Sequence, residues 1–464
     1  MSAAARPRRV VAGILLGLSL LMLRGLPAAA FVTQAVLDVV PDFAGGTFQR
    51  TGLISNPQGD VSGVQLMPIG LSGEWVRDAR VLPVPLQELT ATSWGNRIYV
   101  MGGRLADGQF SKRVFVLRLA DDGSIAAVQD APQLPVELVG ASSFVHETGG
   151  VTSIYVVGGL TKATDPVSRA VYRANIDPVT GLTGAWQKLP DNQSLPFGLY
   201  YSALAVRGSD VYLVGGIAYA GKFQTVPNVF RTHVLPSGDL TGWDSLIGPG
   251  GTNSQLPPSF AGGVAAARAL VWEGEGRATI YLMGGRSSAD AQTGETTALV
   301  AVAAANIDAG GYLSHWWESG ASLPVPLHGH GAVLVGGEEI LLVGGRTDPN
   351  DPRAGMQSNV KAALIDPDNP DFPLYDWNPD PVEWNAWQTG VRFPNDQVRA
   401  YHGLVQIGDW VYALGGTDAA NTATDTIFRG RISGVGQLYA PDGKYETPVI
   451  TLYNGTDASM APDV

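Results

Sequence analysis

Six short apolar segments of this chain each end in a pair of glycines. They are RIYVMGGR (97–104), SIYVVGGL (153–160), DVYLVGGI (210–217), TIYLMGGR (279–286), EILLVGGR (339–346) and WVYALGGT (410–417). A motif that recurs at an interval of several tens of residues indicates a chain built from copies of one supersecondary unit. Because glycine lacks a Cβ, the pair is expected where the backbone leaves a buried strand at close quarters or with a positive φ.

One repeat contains four strands. A polar loop and another strand follow each glycine pair, for example VFVLRL (114–119) or VYRANI (171–176). A turn with tryptophan comes next, as in GLTGAW (181–186) and GYLSHW (311–316), and then Leu-Pro. A further apolar strand leads to the next glycine pair. Each strand is too short to bury both of its faces alone, so the four are expected to form a small sheet that stacks on its neighbours.

These features resemble the kelch repeat, whose hallmarks are a double glycine after a strand and a later tryptophan. The resemblance covers residues 64–433 and implies an all-β fold, a six-bladed kelch-type β-propeller. The sixth copy lacks its own tryptophan strand, but GLSGEW (70–75) matches GLTGAW (181–186). We therefore predict that this N-terminal strand completes the last blade and closes the ring, which removes the open sheet edge. Residues 64–68 are a redundant candidate for a strand of that blade.

The first 30 residues have the character of an export signal. Arg6, Arg8 and Arg9 precede a 14-residue apolar run at 10–23, and small residues follow up to Ala30. A basic start, a short apolar stretch and small residues at the end are typical of a secretory signal. The run is shorter than the roughly 20 residues that cross a bilayer. An uncleaved anchor formed by residues 10–26 is the alternative.

The sequence thus predicts an exported protein, located in the periplasm, at the cell surface or outside the cell. Its expected domains are a signal peptide at 1–30, an N-terminal extension at 31–63, the propeller at 64–433 and a C-terminal tail at 434–464.

Composition excludes several kinds of chemistry. The 464 residues contain no cysteine, which rules out disulfides, thiolate zinc sites, a cysteine nucleophile and the Tyr–Cys cofactor of galactose-oxidase-type copper enzymes. Lys and Arg number 30 against 42 Asp and Glu, and the net charge is −12. An acidic chain is a poor partner for nucleic acid. Because no P-loop, dinucleotide fingerprint or nucleophile elbow occurs, no cofactor is predicted.

The family arrangement places the loops after the double glycines and the loops after Leu-Pro on one face, around the axis. Carboxylate, phenol, imidazole and guanidinium groups that converge on one mouth are typical of a small-ligand site. The candidate ligand-binding residues are Glu88, Tyr200, Tyr201, His328, His330, Arg399, Tyr401, His402, Arg104, Arg286 and Arg346. Gln87, Glu137 and Phe260 lie in the same loops.

Several of these residues also have structural interpretations. Arginines after a double glycine can tie one blade to the next, and one of the two adjacent tyrosines can wedge blades apart. His328, His330 and His402 could together hold zinc, but a core or ligand-binding role is favoured and no metal is predicted. The acidic loop around Asp368 is interpreted as a turn in preference to a calcium site.

Three functions remain open. The leading hypothesis is a non-catalytic module that binds a glycan or a protein partner through its loop face. The first alternative is a sugar-modifying enzyme similar to the periplasmic kelch-type sialic-acid mutarotases, with Glu88 or Glu137 beside Arg399 or an arginine after a double glycine. The second is a structural subunit that docks through residues 31–63 or 434–464. A deep cup with Glu and Arg in hydrogen-bond reach would favour the enzyme, and a plugged channel would favour binding at the rim.

Overall fold

The computed structural model describes residues 71–162, 166–246, 256–274, 276–287, 296–319, 322–335, 339–365, 388–394 and 397–432, and elsewhere only the short strands given below. The chain divides into two units. One comprises residues 70–432 and 439–444, and the other comprises residues 1–69, 433–438 and 445–464. The first unit is a six-bladed β-propeller, which confirms the fold expected from the repeats.

Each blade is an antiparallel sheet whose strands pair from the innermost strand outward. Blade 1 contains Thr90–Trp94, Arg97–Met101, Val114–Leu119 and Ile125–Ala131. Blade 2 contains Ser142–Thr148, Val151–Val157, Val171–Asn175 and Gln187–Lys188. Blade 3 contains Ala203–Arg207, Asp210–Val214, Val229–His233 and Asp244–Ser245.

The other three blades follow the same pattern. Blade 4 contains Arg268–Gly274, Arg277–Met283, Val302–Asn306 and Trp317–Glu318. Blade 5 contains Gly331–Val335, Glu339–Val343, Asn359–Ile365 and Leu374–Tyr375, and Gln388–Arg392 also pairs with its third strand. Blade 6 contains Gly403–Ile407, Trp410–Leu414, Ile427–Ile432 and Leu71–Arg77.

Smaller elements decorate this unit. Two-residue strands at Leu86–Gln87 and Arg104–Leu105 pair with each other, and a short hairpin joins Ile217–Tyr219 to Phe223–Thr225. Two 3-10 helices span Asp191–Gln193 and Pro258–Phe260. In the described part of the chain, no helix has both the length and the apolar character needed to span a membrane.

The second unit contains two described strand pairs. Gln34–Leu37 pairs with Gly52–Ser55, and Val61–Gln65 pairs with Thr451–Asn454. Val64 and Gln65, the described part of the redundant candidate for the last blade, therefore pair with Leu452 and Thr451 instead. The expected signal peptide at 1–30 and the acidic loop around Asp368 lie outside the described residues.

The N-terminal strand closes the ring as predicted. Leu71–Arg77 pairs antiparallel with Ile427–Ile432, so the last blade combines strands from both ends of the propeller sequence. Trp75 on this strand is only 2% exposed, and its ring lies 4.9 Å from the ring of Phe393. This strand thus covers an edge that would otherwise expose unpaired backbone groups.

The hydrophobic core is divided among the interfaces between neighbouring blades. One cluster joins blades 1 and 2 and includes Trp186, the next joins blades 2 and 3 and includes Trp243, and a third joins blades 3 and 4 and includes Trp316. The repeated tryptophan therefore fills the space between adjacent sheets, as its recurrence in the sequence indicated.

The double glycines join each blade to the next. The N–H of Gly103 donates to the carbonyl of Leu138, 2.8 Å away in the next blade, and that oxygen lies 2.6 Å from where a Cβ on Gly102 would stand. The other five pairs make the same contact, from Gly159 to Leu199, Gly216 to Val264, Gly285 to Leu327, Gly345 to Arg399 and Gly416 to Leu86. The expected steric reason for the glycines is correct, and the clash would be with the neighbouring blade.

A tyrosine four residues from the second glycine makes a further contact between blades. Its hydroxyl donates to a turn glycine of the next blade, from Tyr99 to Gly181, Tyr155 to Gly238, Tyr212 to Gly311 and Tyr412 to Gly123, at 2.6 to 2.9 Å. These buried phenols lie at the end of the blade opposite the double glycines. These four pairs of neighbouring blades are thus hydrogen-bonded at both ends.

At the axis, one residue from each blade enters a closed circle of backbone hydrogen bonds, called here the axial ring. Its members are Glu88, Gly140, Tyr201, Ala266, Gly329 and Tyr401, all with φ between 52° and 63°. The N–H of each donates to the carbonyl of the member in the preceding blade over 2.7 to 2.9 Å, and Glu88 donates to Tyr401. Each member lies two residues before the first residue of the innermost strand of its blade. The axial ring is the framework on which the candidate site is built.

Candidate functional site

Two tyrosines of the axial ring close the channel. Tyr201 comes from blade 3 and Tyr401 from blade 6, which are opposite blades, and their ring centroids are 5.4 Å apart. A Cβ on Gly140 would lie 2.8 Å from the Tyr201 ring, and one on Gly329 would lie 3.0 Å from the Tyr401 ring. Glycine at these two positions therefore makes room for the phenols. The axis is plugged at the level of the axial ring.

Glu88 supplies a carboxylate beside this plug. Its Oε2 lies 2.7 Å from Nε of Arg104, and the two side chains are 15% and 29% exposed. Burial alone would lower the pKa of Arg104, but the ion pair with Glu88 outweighs it and raises that pKa. The Tyr201 phenol also hydrogen-bonds Glu88, and burial followed by this carboxylate raises its pKa well above the usual value. Glu and Arg are thus within hydrogen-bond reach at a partly open mouth.

Two further arginines that follow double glycines face the same tyrosines. The guanidinium carbon of Arg286 lies 5.9 Å from the Tyr201 ring centroid, and that of Arg346 lies 5.2 Å from the Tyr401 ring centroid. Among the described residues, no carboxylate is within ion-pair distance of either. Three guanidinium groups therefore surround one carboxylate at the mouth.

The environments of these two arginines differ. Arg346 is 5% exposed, and its Nη2 donates to Thr417 Oγ1 at 3.1 Å and to Asn421 Oδ1 at 3.0 Å. This arginine ties blade 5 to blade 6, as the structural interpretation predicted for one of the set. Arg286 is half-buried, and burial lowers its pKa less than the phenols of Tyr401 and Tyr201 raise it. Of the two guanidinium groups, that of Arg286 is the more exposed to a ligand.

His328 and Tyr200 both contact the tyrosines of the plug, but His328 is only 1% exposed and Tyr200 is the one that can face a ligand. His328 Nδ1 lies 2.9 Å from the Tyr401 hydroxyl, and burial together with Arg286 and Arg346 lowers its pKa to about 3. The imidazole is therefore neutral at physiological pH. Tyr200 is half-buried and packs with its ring centroid 4.9 Å from that of Tyr201. The mouth thus combines aromatic faces with charged donors.

Three residues predicted for the site lie elsewhere. Arg399 is 4% exposed, donates to Thr426 Oγ1 at 2.6 Å and stacks on Phe428, so it packs inside blade 6. His330 and His402 are buried at 0% and 1% exposure, and burial, followed by the nearby Arg268, lowers the pKa of His402 to about 3. In the described parts of the chain, no three His, Asp or Glu residues are grouped closely enough to hold a metal ion.

Other residues of the same loops are not part of the mouth. Glu137 is 42% exposed and lies 3.9 Å from the Lys162 ammonium, which makes it a surface pair. Phe260 is fully buried between blades 3 and 4. Of the two glutamates proposed as an acid, Glu88 alone is in the axial ring.

Sequence reasoning missed Arg268, which lines a cavity of about 210 Å³ along the axis. Arg268 pairs in register with Met283, the residue before a double glycine. The corresponding positions in the other copies hold Thr90, Ser142, Ala203, Gly331 and Gly403. An alignment of the repeats would therefore have shown one arginine among small residues.

Comparisons with known proteins support the fold alone. No protein-family model and no curated protein matches the chain significantly. Among solved structures, that of YjhT is similar, with a TM-score of 0.52 and 16% sequence identity over 81% of this chain and 99% of that chain. At this identity the similarity concerns architecture. The class that fold and comparison define is the six-bladed β-propeller.

Proposed function

We propose that this chain is a kelch-type propeller that binds an acidic sugar, free or at the end of a glycan, at the mouth above the plugged axis. The observation that carries the proposal is the charge of the mouth. Arg104, Arg286 and Arg346 lie around it, and Glu88, the partner of Arg104, is the carboxylate beside them, although the chain as a whole has a net charge of −12. A locally positive surface in an acidic protein selects an anion over a neutral ligand.

The kelch assignment rests on the role that the double glycine plays in each copy. The second glycine donates to the next blade, and the first has no Cβ to obstruct the carbonyl that accepts. This explains why the pair recurs in all six copies, and it supports the resemblance independently of any family match. The tryptophans between blades support it further.

The lining of the mouth suits a sugar. Tyr200 presents a half-buried aromatic ring, and such a ring stacks on the apolar face of a pyranose. Arg286 offers a planar fork of donors that matches a carboxylate in a bidentate pair. Tyr201 and Tyr401 form the floor beneath them because their rings meet across the axis. A ligand would therefore bind at the rim without passing through the channel.

The test compares two probes that differ in one carboxylate, glucuronate and glucose, by titration calorimetry. We expect glucuronate to bind and glucose to bind at least tenfold more weakly, which corresponds to about 1.4 kcal/mol. Arg286→Ala should abolish the preference with the melting temperature held. The control is Arg207→Ala, which removes a surface ion pair with Glu273 at the opposite end of blade 3. Equal affinity for the two sugars would refute an anion-selective mouth.

A second function is supported by one observation, the position of Glu88 between Arg104 and the Tyr201 phenol. A carboxylate so placed can accept a proton from a sugar hydroxyl and return it, which is the chemistry of a mutarotase-type enzyme. Exchange NMR of the two glucuronate anomers would measure this activity. Interconversion no faster than in buffer would leave binding as the function, whereas acceleration lost in Glu88→Gln would support the enzyme.

A further inference from the structure

A cavity of about 210 Å³ lies along the axis beside the axial ring, between the innermost strands. Its lining includes Arg268, His402 and the hydroxyl-bearing residues Thr90, Ser142, Ser143 and Ser202. Arg104, Arg286, Arg346 and Tyr200, which define the mouth, do not line it. The plug formed by Tyr201 and Tyr401 contributes to its wall. Glu88, whose carboxylate is paired with Arg104, also lines the cavity. The cavity and the proposed sugar site therefore share Glu88 and the plug but contain different arginines.

The position of Arg268 in the repeat does not require a charge. In the other five blades the residue in the same register is Thr, Ser, Ala or Gly. Those blades form the same sheets and the same glycine contacts without a cation there. The propeller architecture alone thus gives no reason for a guanidinium at this place in blade 4.

The charge of Arg268 has little compensation. Its Nη1 donates to the carbonyl of Ala267 over a long 3.4 Å, and within the described ranges no carboxylate lies in ion-pair distance of it. Its electrostatic neighbours are His330, His402 and Tyr401, and both histidines have pKa values lowered by burial and by Arg268 itself. Neutral neighbours leave a full positive charge beside the cavity, which is costly unless an anion balances it.

The rest of the lining can complete an anion site. Thr90 Oγ1 and Ser143 Oγ are 2.7 Å apart, and since only one of them donates to the other, one hydroxyl proton remains for a ligand. The two nitrogens of His402 are buried and have no hydrogen-bond partner in the described structure. Both the hydroxyl pair and the imidazole are uncharged, so neither opposes an anion. The carboxylate of Glu88 also belongs to the lining, but its charge is balanced by Arg104 at 2.7 Å. The N–H groups of the axial ring are already used within the ring.

We propose that this axial cavity is a binding site for a small monovalent anion of halide or nitrate size, held by the guanidinium of Arg268. The cavity volume accommodates such an ion with several waters, since one water occupies about 30 Å³. The ion would neutralise a half-buried charge at the axis of the propeller and join blade 4 to blades 5 and 6. Its arginine differs from the three arginines of the sugar site at the mouth.

Bromide is the probe, because it is detected by anomalous diffraction. Crystals of the full chain soaked in bromide should show an anomalous peak within about 3.5 Å of the Arg268 guanidinium. In solution, the melting temperature should rise saturably by roughly 2 °C when bromide replaces gluconate at constant ionic strength. Arg268→Met should lose this shift, and Arg286→Ala should keep it.

The outcomes separate this site from the mouth. A bromide peak only at Arg286, or a melting shift retained in Arg268→Met, would overturn the proposal. If Arg268→Met fails to fold, the wild-type peak decides, and its absence from the cavity refutes the site. Loss of glucuronate binding with the bromide peak intact would disprove the proposed function and leave the anion site standing.

Discussion

The hydroxyl of Tyr412 donates a 2.7 Å hydrogen bond to the carbonyl of Gly123, although 289 residues separate them. Tyr412 belongs to the last blade and Gly123 to the outer turn of the first, so this bond lies at the closure of the ring. We expect Tyr412→Phe to lower the free energy of unfolding by about 1 to 2 kcal/mol, because a buried carbonyl loses its donor. Chemical denaturation measures the change.

Tyr312→Phe is the matched control for this variant. Its ring is 47% exposed and packs against Arg231, a contact that phenylalanine also makes. We expect this substitution to change stability by less than about 0.5 kcal/mol. Equal effects of the two substitutions would show that the hydroxyl of Tyr412 contributes nothing through its hydrogen bond.

Gly102 and Gly95 of blade 1 allow backbone strain from a positive φ to be distinguished from a steric clash with the next blade. Both have a positive φ, 63° and 56°, but a Cβ on Gly102 would lie 2.6 Å from the Leu138 carbonyl, and one on Gly95 would contact nothing within 4 Å. Gly95→Ala should cost about 1 kcal/mol of stability from backbone strain. Gly102→Ala should cost about 3 kcal/mol or more, because the next blade must move. Comparable losses in the two variants would contradict this interpretation.

Deletion of residues 64–80 should cause aggregation. It removes Leu71–Arg77, which pairs with Ile427–Ile432, and leaves an open strand edge together with the cavity of Trp75. Size-exclusion chromatography and thermal unfolding provide the measurement. A soluble truncated chain that unfolds cooperatively would disprove the closure by this strand.

Glu339 should make stability depend on pH. It is 3% exposed in blade 5, and burial raises the pKa of its carboxyl to about 8 from 4.5 in an unfolded chain. Because the fold disfavours the ionised form, stability is highest below pH 4.5 and is lost as the pH rises towards 8. Glu339→Gln should remove this loss, on the order of a few kcal/mol at pH 8. If the free energy of unfolding has the same pH dependence in wild type and variant from pH 4 to 8, this role of Glu339 is refuted.

The N-terminal segment allows a simple prediction about processing. We predict that the chain is exported and that the processed protein begins at Phe31, because small residues end at Ala30 after the apolar run. N-terminal sequencing of the secreted or periplasmic fraction tests this. Recovery of a chain that still contains Met1 from the membrane fraction would identify the segment as an anchor.

The repeats were sufficient to predict the propeller, its closure and the role of the glycine pair, because these follow from a pattern present in six copies. The deviation of one copy also has a structural reason. Blade 5 has Leu341 where the other five copies have tyrosine. The outer strands of the next blade, Ile427–Ile432 and Leu71–Arg77, are not joined by a hairpin turn, so the usual acceptor glycine is missing there.

The candidate site was predicted only in part. Glu88, Tyr201 and Tyr401 belong to the axial ring, and the arginines after double glycines reach it, since position in the loop was sufficient to place them. Arg399 and His402 come from the same loop as Tyr401 but pack between strands. Which of the side chains at positions 399, 401 and 402 turns toward the axis depends on a single positive φ, at Tyr401, which composition and spacing do not encode.

The axial ring limits the number of blades that the propeller can contain. Each member is both donor and acceptor, so the circle has neither a beginning nor an end. A set of five blades would leave one N–H and one carbonyl unsatisfied at the centre, and a seventh would have to break an existing bond to enter. The circle of hydrogen bonds is therefore complete only when the sixth blade is in place. That blade contains Leu71–Arg77, which is far along the chain from its partner strand Ile427–Ile432.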